Sequence, residues 1–389
     1  MLRKICVVTG TRAEYGLLKF LMEEIKNSES FEMQLVVTGS HLSERHGYTV
    51  NEIINDGFKI NSLLDIKLVN DGNHAVCNST AKCIQLFSKT LDKLKPDLII
   101  VLGDRYELLA VVTASMIHRV PIAHIHGGEI TEGAFDDGIR HSITKLSQLH
   151  FVASNEYKKR VIQLGENPDF VFNVGGLGVD AIKKIKLLSK KELEDSLKIK
   201  FWEKNLLITY HPLTIPIKEN SKFEISQLLN GLSKFEDTLQ IFTMPNADPG
   251  NIGIFNTIHE YVEENENVYA FESLGQLRYL SCLAYIDAVI GNSSSGILEV
   301  PSFKKGTINI GDRQKGRLFA DSVISCSNKS FDIEEAIKKI YKYDFKVTLK
   351  DTTNPYGEGG ASKKIKEIIE EIDFEKLQRK HFFNINFKY

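Results

Sequence analysis

Apolar residues fall along the chain in short β-branched runs separated by segments with apolar positions every three or four residues. Alternation of these two patterns is the signature of βαβ units wound on a parallel sheet. In the first half the runs are Ile5–Thr9, Gln34–Thr38, Leu98–Leu102, Ile122–Ile125, Phe151–Ala153 and Val171–Val174. They are apolar without alternation, which predicts strands covered on both faces. Between them the helical period predicts helices over Tyr15–Lys26, Ser79–Leu94, Glu107–His118 and Asn155–Leu164.

A charged stretch from Lys183 to Lys204, poor in strand formers, reads as a helix plus linker, and beyond it the pattern restarts. Strands are predicted at Leu206–Tyr210, Leu239–Thr243, Val268–Phe271, Ala288–Ile290 and Thr307–Ile310. Helices are predicted near Glu224–Leu232, Ile254–Glu264, Gln276–Leu283 and Gly296–Val300. A terminal helix, about Ala361–Lys376, follows the turn Asn354-Pro355-Tyr356-Gly357 and can close either half. The fold class is therefore α/β, with two Rossmann-like domains. The first spans residues 1–180 with the C-terminal helix of 361–389, and the second spans 200–360. A length of 389 residues agrees with two or three domains at roughly 150 residues each. In open α/β sheets ligands sit at the carboxyl ends of strands, so two such sheets predict a site in a central cleft that they face.

The 49 basic and 51 acidic side chains leave a formal charge of −2, which gives no electrostatic reason to expect a nucleic-acid or membrane partner. No apolar run approaches the roughly 18 residues that span a bilayer, and Met1–Gly10 holds only a short apolar run. A cytoplasmic, non-exported protein is expected. Five scattered cysteines without a C-x-x-C pair read as buried reduced thiols. Eleven histidines without H-E-x-x-H spacing give no support for a metal site.

The polar residues cluster where the topology predicts a site. Gly10-Thr11-Arg12-Ala13-Glu14-Tyr15-Gly16 follows the first strand and opens the first helix, so backbone N–H groups and Arg12 suit an anion. It is neither G-x-G-x-x-G nor a Walker loop, and no acidic residue ends the second strand, so no nicotinamide cofactor is expected. Two further strand ends carry Gly103-Asp104-Arg105-Tyr106-Glu107 and His124-Ile125-His126-Gly127-Gly128-Glu129, followed by Asp136, Asp137, Arg140 and His141. Carboxylates and imidazoles at adjacent strand ends suit acid–base catalysis. The competing structural roles are helix capping for Asp104 and for one of Asp136 and Asp137, and ion pairing for Arg140. In the second half His211 ends a strand before Pro212. Gly291-Asn292-Ser293-Ser294-Ser295-Gly296 leads into a short helix carrying Glu299, a start that suits phosphate. Arg313, Lys315 and Arg317 follow as candidate partners of a diphosphate.

These motifs, taken in order with Pro245-Asn246-Ala247-Asp248, resemble the hydrolysing UDP-N-acetylglucosamine 2-epimerases of sialic acid biosynthesis, from about Met1 to Ser362. The resemblance implies a fold of the glycosyltransferase-B type, with the nucleotide on the second domain and the sugar facing the first. It implies conversion of UDP-GlcNAc and water to N-acetylmannosamine and UDP, without metal or nicotinamide, in a homodimer or homotetramer. Asp104, Glu129, His126, Asp136, Asp137 and His211 are the implied catalytic set. Arg12, Asn246, Ser293, Ser294, Ser295, Gly296, Glu299, Arg313 and Arg317 are the implied UDP ligands, Glu299 on the ribose. Many members have E-G-G-E where this chain has His126-Gly127-Gly128-Glu129. Either His126 takes over the role of the first Glu, or Glu129 reaches the sugar instead. The same reaction on UDP-2,4-diacetamido-2,4,6-trideoxyglucose, on the way to legionaminic acid, is the nearest alternative. A UDP-sugar glycosyltransferase, the non-hydrolysing epimerase and a catalytically dead UDP-sugar sensor stand further off.

Overall fold

A computed structural model describes residues 2–68, 72–131, 135–211, 220–244 and 252–386, with the side chains of 220–222 and 252–253 left aside. The chain forms two units, residues 1–181 with 359–389, and residues 182–358.

In the first unit seven parallel strands lie in the order β3-β2-β1-β4-β5-β6-β7. They are β1 Arg3–Thr9, β2 Phe31–Thr38, β3 Ser62–Leu64, β4 Leu98–Leu102, β5 Ile122–Ile125, β6 Leu149–Val152 and β7 Val171–Asn173. The interiors of β1, β4 and β5 are wholly buried, as runs covered on both faces must be. One face packs on Leu18, Leu21 and Ile25 of the helix Arg12–Lys26, the other on Phe87 and Leu108. The C-terminal helix Ala361–Glu371 closes this unit: Ala361, Ile365 and Ile369 are buried in the first face. Buried Asp180 accepts its first amides, Ala361 N at 2.8 Å and Ser362 N at 2.6 Å. That helix ends at Glu371, and Phe374–Leu377 forms a separate turn, so the predicted single helix to Lys376 is broken.

The second unit has six parallel strands in the order β10-β9-β8-β11-β12-β13. They are β8 Lys204–Thr209, β9 Thr238–Thr243, β10 Val268–Phe271, β11 Ala288–Gly291, β12 Gly306–Ile310 and β13 Val323–Cys326. The charged stretch after Lys183 belongs to this unit, and its helix Lys190–Leu197 opens with a Ser189–Glu192 capping box. Two edge strands, β3 and β13, escape the sequence pattern because they are short and only partly buried. The cysteines are all free, but Cys77 is exposed and Cys326 half-buried, so the expectation of uniformly buried thiols fails.

A buried charge cluster fastens the C-terminal tail. Glu166 accepts from His150 Nε2 at 3.0 Å and pairs with Lys145 and Lys380 at 2.8 and 2.7 Å. Burial alone would raise its carboxyl, but the His150 hydrogen bond and the surrounding cations bring it down from 4.5 to about 2. A carboxyl depressed on folding stabilises above its unfolded pKa and ceases to as pH falls through the folded one. The protein is expected to lose stability between pH 4.5 and about pH 2. Glu166→Gln should be less stable at pH 7 and show a flatter slope across that window, read by thermal melts at stepped pH. An unchanged slope would assign the acid sensitivity elsewhere.

Candidate active site

In each sheet the strand order reverses once, between β1 and β4 and between β8 and β11, which is where open α/β sheets hold ligands. The predicted residues gather at these two points.

At the first, the loop after β1 turns into its helix with Thr11 as N-cap, its hydroxyl accepting from Glu14 N at 3.2 Å. Arg12 is the first helical residue, its Nε in an exposed ion pair with Glu52 at 3.1 Å. Asp104 follows β4. The N-cap of the next helix, Tyr106–Ile117, is Arg105, so Asp104 is no cap. It pairs instead with buried Arg140.

Arg140 organises the rest of this cluster. Its Nη1 donates to the Glu129 carbonyl at 3.0 Å and to Asp137 Oδ1 at 3.2 Å, and its Nη2 to Thr131 Oγ1 at 3.0 Å. Asp137 also accepts from Thr131 N at 2.8 Å and faces His141 Nε2 at 3.3 Å. Asp137 is thus occupied in holding the turn. Asp136, one residue earlier in the helix Phe135–Leu146, has no hydrogen-bond partner among the described residues. Burial, and then the charge of Asp104, push its carboxyl above the ordinary range, with Arg105 and Arg140 opposing.

The strand β5 ends in a second pair. His126 Nδ1 lies 2.8 Å from Glu129 Oε1, both side chains nearly buried. His126 Nε2 is buried without a hydrogen-bond partner among the described residues. His126 takes the left-handed conformation at φ 65°, which is uncommon for a residue with a side chain and costs of order 1–3 kcal/mol. Such strain persists where the surroundings impose it. Here Gly128, also at positive φ, packs so closely that an added Cβ would stand 2.5 Å from the Tyr157 carbonyl. Arg160 Nη1 donates to the Gly128 carbonyl.

At the second switch point Asn292 joins β8 to β11. His211 N donates to Asn292 Oδ1 at 2.8 Å and Asn292 Nδ2 donates to the His211 carbonyl at 2.7 Å. The Asn292 carbonyl in turn accepts from Arg313 Nη1 at 3.2 Å and Gln314 Nε2 at 2.8 Å. Burial and then the charge of Arg313 push the His211 imidazole down to about 4, so it is neutral at physiological pH. Ser294 precedes a single helical turn, Ser295–Leu298, shorter than the helix predicted to Val300. Ser293 Oγ accepts from Ser295 N at 3.4 Å. The Ser295 hydroxyl bonds the Glu299 carboxylate and lies 2.6 Å from the Tyr279 hydroxyl. Burial raises the Glu299 carboxyl. Gly296 lies directly against β12, its carbonyl accepting from Thr307 Oγ1 at 2.7 Å. Arg317 is half-buried in the same loop, its amide bonded to the Gln314 carbonyl. Asn246 lies outside the described residues. Among the described residues no group of three or more His, Cys, Asp and Glu side chains is placed to hold a metal ion, and no helix is long and apolar enough to cross a membrane.

The sequence model of the UDP-N-acetylglucosamine 2-epimerase family matches residues 23–370. The chain belongs to that family. It is 42% identical over 98% of its length to the GDP/UDP-N,N'-diacetylbacillosamine 2-epimerase (hydrolyzing) of Campylobacter jejuni, covering 99% of that protein. It is 38% identical over 98% of its length to the polysialic acid biosynthesis protein P7 of Escherichia coli, covering 96% of that one. Its fold is that of the crystal structure of UDP-GlcNAc 2-epimerase from Neisseria meningitidis bound to UDP-GlcNAc, with a TM-score of 0.76 and 21% identity over 95% of this chain and 100% of that one. The two parallel units are thus of the glycosyltransferase-B type, and the chain is an enzyme, a hydrolysing UDP-sugar 2-epimerase. For this epimerase, sequence reasoning missed Thr131, which bonds Arg140 and Asp137, and Asn292, which joins the ends of β8 and β11. Asn292 had a signal, as the first polar residue after a buried strand. Thr131 lies outside any helix or strand and carries no signal of its own until the fold brings it to Arg140.

Proposed function

We propose that the substrate is UDP-2,4-diacetamido-2,4,6-trideoxyglucose, the UDP derivative of N,N'-diacetylbacillosamine, hydrolysed with inversion at C2 to the free manno-configured sugar and UDP. The observation that carries this is the 42% identity, nearly end to end, with the Campylobacter jejuni enzyme. UDP-GlcNAc, giving N-acetylmannosamine for sialic acid, is the second reading, favoured by the 38% identity with the polysialic acid protein. The two sugars share C1, C2 and the acetamido group on C2, so the chemistry is common to both and the choice lies at C4 and C6.

The C2 hydrogen is scarcely acidic in the intact sugar. When the C1–O bond breaks, its electron pair leaves with UDP and C1 becomes oxocarbenium-like, so that a base can take the C2 proton and leave a glycal. Water then adds its oxygen to C1 while an acid delivers a proton to C2 from the opposite face, and the proton that water loses restores the acid. We assign the base to the His126–Glu129 pair and the acid to Asp136 with Asp104. The environments support this division: Asp136 is pushed toward its protonated form by burial and by Asp104, whereas Glu129 meets an imidazole. His211, Ser293, Ser294, Arg313, Arg317 and Arg12 are assigned to the diphosphate and Glu299 to the ribose. Asn246 and Ser295–Gly296 complete that assignment. Neutral His211 would serve as a hydrogen-bond donor to the departing phosphate.

The test is incubation of the pure protein in deuterated water with each UDP-sugar, and with the GDP-linked diacetamido sugar, followed by proton NMR. Free manno-configured diacetamido sugar carrying deuterium at C2 is expected. Turnover of UDP-GlcNAc alone would overturn the substrate, and a nucleotide-linked manno product would overturn the hydrolytic course.

A further inference from the structure

His124 is wholly buried in the middle of β5, two residues before the strained His126, and no step of the reaction uses it. Its Nε2 lies 2.8 Å from the Gly103 carbonyl oxygen and its Nδ1 3.1 Å from Thr144 Oγ1. A carbonyl only accepts, so Nε2 carries the hydrogen. Burial drives the imidazole down to about 3, which leaves Nδ1 unprotonated and facing the Thr144 hydroxyl, whose single hydrogen is shared between Nδ1 and the Arg140 carbonyl 3.0 Å away. Gly103 immediately precedes Asp104. Thr144 lies one turn after Arg140, on the helix that also carries Asp136 and Asp137. The third segment of the site rests on the same pair: a Cβ added to Gly127 would stand 2.9 Å from Thr144 Oγ1 and 3.1 Å from His124 Nδ1. The turn carrying His126 and Glu129 therefore lies directly over the His124–Thr144 contact.

The geometry points to His124 as a positioning residue that holds the Asp104 loop, the Arg140 helix and the His126–Glu129 turn in register through its two ring nitrogens. This rests on the assignment of Asp104, Asp136 and Glu129 to proton transfer. A misplacement of about 1 Å among reacting groups costs on the order of 100-fold in rate, so loss of the brace should appear in kcat.

Four variants test it: His124→Phe, which removes both links, His124→Gln, which keeps a donor near the place of Nε2, Thr144→Val, which removes only the helix link, and Asp104→Asn as reference. His124→Phe is expected to lose about 100-fold in kcat and Thr144→Val about tenfold, with KM and UDP affinity within about twofold of wild type. His124→Gln should recover most of the loss. A folded His124→Phe with wild-type kcat, beside an inactive Asp104→Asn, overturns the inference alone. A parallel fall in kcat, UDP affinity and melting temperature in His124→Phe and His124→Gln reduces His124 to a structural role and also overturns it. Should His124→Phe not fold, wild-type kcat in Thr144→Val overturns it. An active Asp104→Asn overturns the acid–base assignment beneath it.

Discussion

Asp104→Asn should lower kcat by about 10²–10⁴ while leaving the Kd for UDP within about twofold of wild type. The size follows from two losses at once. A carboxyl group at the end of β4 no longer exchanges protons, and the like charge that helps hold the Asp136 carboxyl above its ordinary range disappears. The fold should tolerate the change, because Arg140 keeps Asp137, Thr131 and the Glu129 carbonyl when Asp104 becomes neutral. A second observable separates this account from simple removal of a group. The Asp136 carboxyl is raised by burial first and by Asp104 second, so without Asp104 it titrates lower. The acid is then protonated only at lower pH, and the residual kcat of Asp104→Asn should rise as pH falls, with its profile displaced to the acid side of wild type. Turnover is read as free sugar by NMR and UDP binding by calorimetry. A variant with near-normal kcat, or a residual activity with the wild-type pH profile, would remove Asp104 from the acid pair.

Much of this was legible before any coordinates. β4 and β10 carry unbroken apolar runs and β5 one interrupted only by His124, and their boundaries follow the pattern residue for residue at Leu98–Leu102, Ile122–Ile125 and Val268–Phe271. Strand ends are equally legible because chemistry interrupts hydrophobicity there, as at Gly103-Asp104 and Gly291-Asn292. Partnership is not. Spacing alone leaves Asp136 and Asp137 equivalent, yet the helix turns one toward Thr131, Arg140 and His141 and leaves the other without a bond among the described residues. Likewise the pattern offers capping as a role for Asp104, whereas the chain enters its helix one residue later and frees it for Arg140. Of the edge strands, β3 and β13 fade from the pattern, β13 having no fully buried residue, whereas β10, also at an edge, keeps its apolar run.

Glu129→Gln is expected to produce a loss in kcat comparable to that of Asp104→Asn, and the manner of the loss decides between the two possibilities left by the His126 substitution. Glu129 Oε1 stands 2.8 Å from His126 Nδ1, and the far nitrogen of that ring is buried with no partner among the described residues. On the assignment proposed above, the Glu129 carboxylate beside Nδ1 orients the ring and the two side chains act as one base. Residues acting as a unit are non-additive when removed together. The single variants His126→Gln and Glu129→Gln should each lose about 10²–10³ in kcat, and the double variant should be no slower than the slower single. Washout of the C2 hydrogen into deuterated water should fall in step with kcat, since the missing group is the one that takes that proton. Near-normal turnover in His126→Gln beside an inactive Glu129→Gln would mean that Glu129 reaches the sugar directly. In that event the left-handed turn at His126 serves only to swing Glu129 under C2, and the strain at φ 65° is spent on aiming the carboxylate rather than the ring.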